Sequence, residues 1–257
     1  MDLMSILGIL FGAGVIVFVL SSGGMLKFLL NWEAIILIFG GTIGSVMIAY
    51  PWSTLKWVLN SIKIIFFPPK RPSVTKIIET IVRLAEISRR QGIESIESEL
   101  KNLPHPFMVD ACQMMLDGVD PNILAERMEH DINTTRMRNQ QQANIFISAG
   151  TFAPTFGLLG TLVGVVQVLR NIQNPKVMGA SMAIAMTASF YGIFSANFIF
   201  LPIANKLNFY SEEDLLNREI IARGINAIYN GDSPWLVSKK LEGYLSLYLR
   251  QMKNKKK

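Results

Sequence analysis

Charge is missing from most of this 257-residue chain. Only 17% of its residues are Asp, Glu, Lys or Arg, and four stretches, 3–26, 34–55, 139–169 and 177–205, contain none. They are 24, 22, 31 and 29 residues long, and crossing the hydrocarbon core of a bilayer takes roughly 20 apolar residues. All 19 carboxylates lie outside them. That absence speaks against a self-contained proton relay at membrane depth, which normally needs a titratable group there. If the protein moves ions, a partner must bring the carboxylate. Cysteine is nearly absent too: the lone Cys112 excludes a disulfide framework and a thiolate metal cluster, and reads as a small buried apolar side chain. The two histidines, His105 between prolines and His130 on a polar helix face, form no cluster and are read as structural. No phosphate-binding glycine loop, nucleophile motif or metal-ligand spacing is found, so neither a conventional enzyme nor a cofactor is expected. No run of alternating β-branched residues supports a sheet.

What is present fits an all-α membrane protein with four transmembrane helices in a 2 + 2 arrangement, a helical cytoplasmic insert and a helical cytoplasmic tail. The expected divisions are 1–55 for the first two spans, 56–138 for the insert, 139–205 for the last two spans and 206–257 for the tail. Half the residues are hydrophobic. The net charge of +6 follows membrane topology and does not call for nucleic acid. The insert holds twelve Lys or Arg and the tail ten, whereas the short connectors hold only Lys27, Arg170 and Lys176. The positive-inside bias therefore predicts a cytoplasmic insert, tail and N-terminus. A cleaved signal peptide is not expected, because the start carries Asp2 and no cation, and a second apolar stretch follows at once.

Residues 56–67 mix lysines and aromatics and read as an interfacial helix or a protruding end of the second span, closed by Pro68, Pro69 and Pro72. Ser73 is expected to cap a helix with Ile77, Ile78, Ile81, Leu84, Ala85 and Ile87 on one face, ending near Gly92. A short helix over 93–100 and one through Met108, Cys112, Met115 and Leu116 follow. Asp120-Pro121 opens a helix with no stop signal before the third span. In the tail, Asn230-Gly231 reads as a turn and Ser233-Pro234 as the start of the last helix. The terminal lysines of 253–257 read as a solvated end, with contact to anionic lipid as the alternative.

Glycines at 8 and 12, at 40, 41 and 44, and at 157, 160 and 164 are spaced for close helix contact. Pro154 and Pro202 interrupt the third and fourth stretches and leave the Gly150 and Phe198 carbonyls without their usual donors. Both a packing kink and a functional role remain open for them. Hydroxyls at Thr151, Thr155, Thr161, Thr187 and Ser189 either line a polar path or bond back to their own helix. Glu33, beside Trp32, reads as an anchor at the outer boundary.

The ordered set of motifs resembles the flagellar motor stator subunits of the MotA/PomA family. It comprises Ala153-Pro154-Thr155-Phe156-Gly157-Leu158-Leu159-Gly160-Thr161-Leu162-Val163-Gly164, then Asn174-Pro175-Lys176, Gly179, Met182-Ala183, Tyr191-Gly192 and Pro202-Ile203-Ala204. Leu216-Asn217-Arg218, Gly224 and Asn230-Gly231 extend the likeness into the tail. The resemblance implies a bacterial inner-membrane protein, a ring of five copies around two copies of a MotB/PomB-type single-span partner that supplies an ion-binding aspartate, and H⁺ or Na⁺ as the transported ion. It implies that Pro154 and Pro202 flank the moving ion-coupling region, with Thr161 and Ser189 at pathway hydroxyl positions. Position 189 departs from the family's usual threonine. Arg89 and Glu97 match the charged pair that contacts the rotor's switch ring, with Arg90 as the alternative to Arg89; as exposed helix charges they also fit an ordinary solvated face.

Two other readings stand beside this one. An energiser of the ExbB/TolQ kind would drive an outer-membrane process, but such proteins usually have one span before the large cytoplasmic segment, and this chain has two. An uncoupled channel or membrane scaffold would tolerate charge reversal at Arg89 and Glu97 and need no partner carboxylate.

Overall fold

The computed structural model describes residues 3–24, 30–69 and 71–245, and the described residues form helices without a strand. Asp2, Lys27 and the terminal lysines of 253–257 lie outside them. Four helical segments have the length and apolarity to cross a membrane: Leu3–Ser22, Trp32–Ala49, Pro121–Arg170 and Val177–Tyr229. The chain divides into two compact units, Met1–Pro69 with Asn139–Phe209, and Lys70–Arg138 with Tyr210–Lys257.

The first unit holds the apolar helices. Helix α1, Leu3–Ser22, buries none of its residues within the chain, as a span facing lipid or other subunits can. Helix α2, Trp32–Ala49, starts where the Asn31 side chain accepts the Ala34 N–H at 3.0 Å. It contains a π-helical turn at Ile36–Gly40. The uncharged stretch runs to residue 55, but the helix ends at Ala49. Tyr50 is extended (φ −129°, ψ 137°) because the following Pro51 excludes helical backbone there. One turn, Trp52–Leu55, and helix α3, Val58–Phe66, follow, with Ser61 and Ile65 buried. The Tyr50 hydroxyl donates to the Asn144 carbonyl (3.0 Å) and sits 2.8 Å from Ser148 Oγ, tying this break to the third span.

The second unit has one continuous core. Helix α4, Val74–Gln91, is capped by Ser73, whose hydroxyl accepts the Lys76 N–H at 3.3 Å, and ends at Gly92 with φ +87°. The short helix expected over 93–100 is a 3-10 segment, Ile93–Asn102. Helix α5, Pro106–Leu116, begins at His105, whose Nδ1 accepts the Phe107 N–H at 3.2 Å. Ile77, Ile81 and Leu84 of α4 pack with Met108, Cys112 and Met115 of α5 in one buried cluster. The same cluster takes in Leu124 and Met128 from the start of α6, Pro121–Arg170, which runs unbroken for 50 residues past Pro154. It also includes Ile220, Ile221 and Ile225 of α8, Leu201–Tyr229, and Val237 and Leu241 of α9, Pro234–Leu241. Burial pushes the Cys112 thiol up to about 12, so it stays protonated, an apolar filler as expected.

Candidate functional site

The third and fourth spans, α6 and α7 (Pro175–Phe194), cross at backbone contact. A Cβ built on Gly157 would lie 3.2 Å from the Ala188 carbonyl oxygen and 3.3 Å from Ser189 Cα. One built on Gly192 would lie 2.7 Å from the Ala153 carbonyl oxygen and 3.2 Å from Pro154 Cα. Gly160 faces Ala188 and Gly164 faces Ala185, with Cβ–Cβ distances of 2.4 and 2.5 Å if either were alanine. Small residues on both helices make this approach possible. Gly192 was not among the residues singled out for packing from sequence, although Ala185, Ala188 and Gly192 form a small-residue row at helical spacing.

Pro154 and Ser189 thus meet at one crossing. Thr161 stands on the same helix as Pro154, four residues beyond Gly157. Its hydroxyl donates to the Leu158 carbonyl at 2.7 Å. Thr151 bonds Ile147 (3.0 Å), Thr155 bonds Thr151 (3.1 Å) and Thr187 bonds Ala183 (2.7 Å) in the same way. Four of the five span hydroxyls named from sequence therefore bond back to their own helix, which leaves their oxygen lone pairs as acceptors for a cation or water. Thr151 and Thr155 lie on an exposed face of α6 together with Leu158 and Leu162, and Met182, Met186 and Ile193 are exposed on α7.

Pro202 lies away from that crossing, directly after a π-helical turn at Ser195–Phe200. The Leu201 N–H bonds the Ala196 carbonyl, five residues back. A π turn moves each donor one carbonyl further along, which is how a helix adjusts around the N–H that proline lacks. The proline announces the disturbance in the sequence; the form it takes is a structural finding. Pro154 produces no break in α6. A second polar feature, the Thr42 hydroxyl, is buried without a hydrogen-bond partner in α2.

Arg89 and Glu97 belong to the second unit. Both are exposed, Arg89 in the last turn of α4 and Glu97 on the 3-10 segment. They do not pair with each other; the ion pair between these two elements is Arg83–Glu99 at 2.8 Å. Arg90 is exposed as well. Deeper in this unit Arg218 bonds both Asp131 (2.7 Å) and Asp214 (2.8 Å) and stacks over Phe107, while His105 Nε2 lies 3.3 Å from Asp214. Because His105 Nδ1 accepts a backbone N–H, the ring proton sits on Nε2 and points to Asp214. Burial pushes the Asp214 carboxyl up, but the hydrogen bonds from His105 and Arg218 and the Arg218 charge outweigh it and hold the group down at about 2. Among the described residues no three metal-ligating side chains come together.

Comparison with known proteins agrees with the motif reading. Residues 99–220 match the MotA/TolQ/ExbB proton channel family. The chain is 31% identical to the chemotaxis protein PomA of Vibrio alginolyticus, over 96% of either chain. It superposes on a chain of MotAB from C. jejuni with a TM-score of 0.87 at 26% identity, covering 96% of this chain and 97% of that one. The corresponding values for the flagellar MotAB stator complex of Bacillus subtilis are 0.83, 29%, 93% and 96%. With its four membrane-crossing helices, the chain belongs to the MotA/PomA family, the flagellar members of the MotA/TolQ/ExbB proton channel family.

Proposed function

We propose that this chain is the multi-span subunit of a flagellar stator, which forms an ion channel with a MotB-type partner in the inner membrane and turns ion flow into torque. The observation that carries the reading is the pairing of a stator-like fold over 93% of the chain with uncharged stretches at all four spans. A channel without its own carboxylate needs one from a partner helix, and the exposed hydroxyl-bearing face of α6 beside the Met182, Met186 and Ile193 stripe of α7 suits such a helix. Binding an ion neutralises the partner's aspartate and changes how it sits against these spans. Pro154 and Pro202 bound the segment that responds, with Thr161 and Ser189 offering oxygens to the passing ion. A ring of copies, five by family likeness, steps around the partner, and Arg89 and Glu97 push complementary charges on the rotor. A transmembrane potential supplies about 2.3 kcal/mol per charge per 100 mV, an adequate energy scale for this work. Both termini and the insert are cytoplasmic in this reading, the coupling ion is H⁺ or Na⁺, and the chain performs no covalent chemistry.

Swimming speed tests it. Cells lacking the chain should keep their filaments and lose motility, and the chain with its partner should restore it. Speed that follows external Na⁺ at fixed pH and resists a protonophore marks a sodium stator; the opposite pattern marks a proton stator. Unchanged motility in the deletion strain, with an intact rotor and no second stator, would overturn the assignment.

A further inference from the structure

The segment that follows the second span has no part in the proposed ion path, and its two sides differ in kind. On one side of α3, Val58, Ile62 and Ile65 pack against Ala143 and Phe146 of α6 and Ala204 and Leu207 of α8. The Ser61 hydroxyl donates to Gln142 Oε1 at 3.4 Å on the same side. These partners stand where the uncharged stretches 139–169 and 177–205 meet charge, at Arg138 and Lys206, so α3 lies at the level of the bilayer boundary. On the other side Leu59 and Lys63, one turn apart, are exposed, as are Trp52 and Lys56 before them and Phe67 after them. The Lys56 ammonium lies 5.5 Å from the centre of the Trp57 ring. Among the described residues neither Lys56 nor Lys63 forms an ion pair, and the sequence has no Asp or Glu between Glu33 and Glu79.

We infer that the outer side of α3 binds anionic phospholipids of the leaflet in which the second span ends, with Lys56 and Lys63 on their headgroups. Alternation of Trp, Lys, Leu, Lys and Phe suits that depth: the rings and the leucine enter the acyl boundary while the lysine stems reach out to the phosphates. Two cations without a carboxylate partner favour an anionic headgroup over a zwitterionic one. A second copy of this unit fits the surface less well. Its only carboxylates are Asp2 and Glu33, and Glu33 begins the second span, at the membrane face opposite α3. Because the inner side of α3 is seated on α6 and α8, the lipid contact reaches the ends of the third and fourth spans through one helix.

The experiment uses the complete complex with its partner in lipid nanodiscs, carrying Cys112→Ala and a bimane fluorophore on Leu59→Cys, between the two lysines. Its quenching is titrated with phosphatidylglycerol or phosphatidylcholine bearing a spin label near the headgroup. Phosphatidylglycerol should associate more strongly, by about fivefold for each lysine that it meets. Lys56→Gln and Lys63→Gln should each lower that preference about fivefold, and the double substitution should lower it further. The corresponding arginine variants should keep it, and added salt should weaken it. Equal quenching by the two lipids, or an unchanged preference in the double glutamine variant, would overturn the proposal. So would the absence of quenching by either lipid, since water or protein would then face this side of α3. The inference needs only a bilayer around this unit. A failed lipid preference leaves the stator reading intact, and lost motility with the preference retained bears on the stator reading alone.

Discussion

Gly192→Ala is the sharpest probe of the crossing between the third and fourth spans. The new methyl would sit 2.7 Å from the Ala153 carbonyl oxygen and 3.1 and 3.2 Å from the α-carbons of Gly157 and Pro154. A carbon–oxygen contact settles near 3.3 Å or beyond, so the helices must part by about 0.6 Å. All three opposing atoms are backbone, and no side chain can swing aside. Overpacking of this kind costs about 1–3 kcal/mol. Gly179→Ala is the matched control, since it is on the same helix and meets nothing within 4 Å. Thermal melts of the purified complex should place Gly192→Ala below Gly179→Ala by that amount, and swimming speed should fall only in the former. Gly160→Ala, which would bring two methyl carbons to 2.4 Å, should behave like Gly192→Ala. Equal melting temperatures and speeds for Gly192→Ala and Gly179→Ala would refute the reasoning, because the backbone contact would then hold no function.

Three further outcomes follow from the second unit. Arg89→Glu and Glu97→Arg should each reduce torque in a bead assay while leaving melting within about 0.5 kcal/mol, since neither residue pairs with the other; unimpaired torque in both would remove them from the rotor contact. Asp214 sits at about 2 in the folded chain against an ordinary 3.8. Its contribution, about 2 kcal/mol, is complete above pH 4 and disappears as the pH falls through 2. Asp214→Asn should therefore lose stability at neutral pH and flatten that acid limb, and an unchanged acid limb would count against it. Cys112, buried with its thiol near 12, should resist maleimide at pH 7 in the native complex and react on denaturation; rapid native labelling would contradict its place in the core.

Local signals carried much of this fold. Ser73 and Ser233 stand at helix starts because each accepts a terminal N–H, Gly92 and Gly231 at helix ends because each adopts a positive φ, and Pro121 at a helix start because a first-turn residue needs no N–H of its own. The lack of a stop between Pro121 and the third span corresponds to an unbroken helix for the same reason. Where hydropathy alone set the boundary, it overran: residues 50–55 are uncharged, yet Pro51 ends the helix. The π turns were not legible, since i→i−5 bonding depends on what neighbouring helices press against, not on local preference. Nor was the fate of the charged residues of the second unit. Arg83 pairs with Glu99 while Arg89 stays exposed, and both are basic residues on the same helix. The candidate site was half readable: proline and glycine types pointed to close helix packing, but only the folded chain brings Pro154 and Ser189 to one crossing.

The distribution of hydroxyls and charges makes this chain the mechanical half of a divided device. A proton passed at membrane depth needs a group that titrates near neutral pH, and none of the uncharged stretches has a carboxylate or a histidine. What the spans offer instead is shape: a glycine-lined crossing too tight for a methyl group, and a π turn that has already lengthened its hydrogen-bond register next to Pro202. A tight crossing passes a small displacement from one helix to the other because neither backbone can yield independently. A π turn is the point at which a helix can change register without breaking. In the proposed stator, separating the charge from the spans would let the ion cycle on the partner while this chain keeps an uncharged, low-dielectric wall around it.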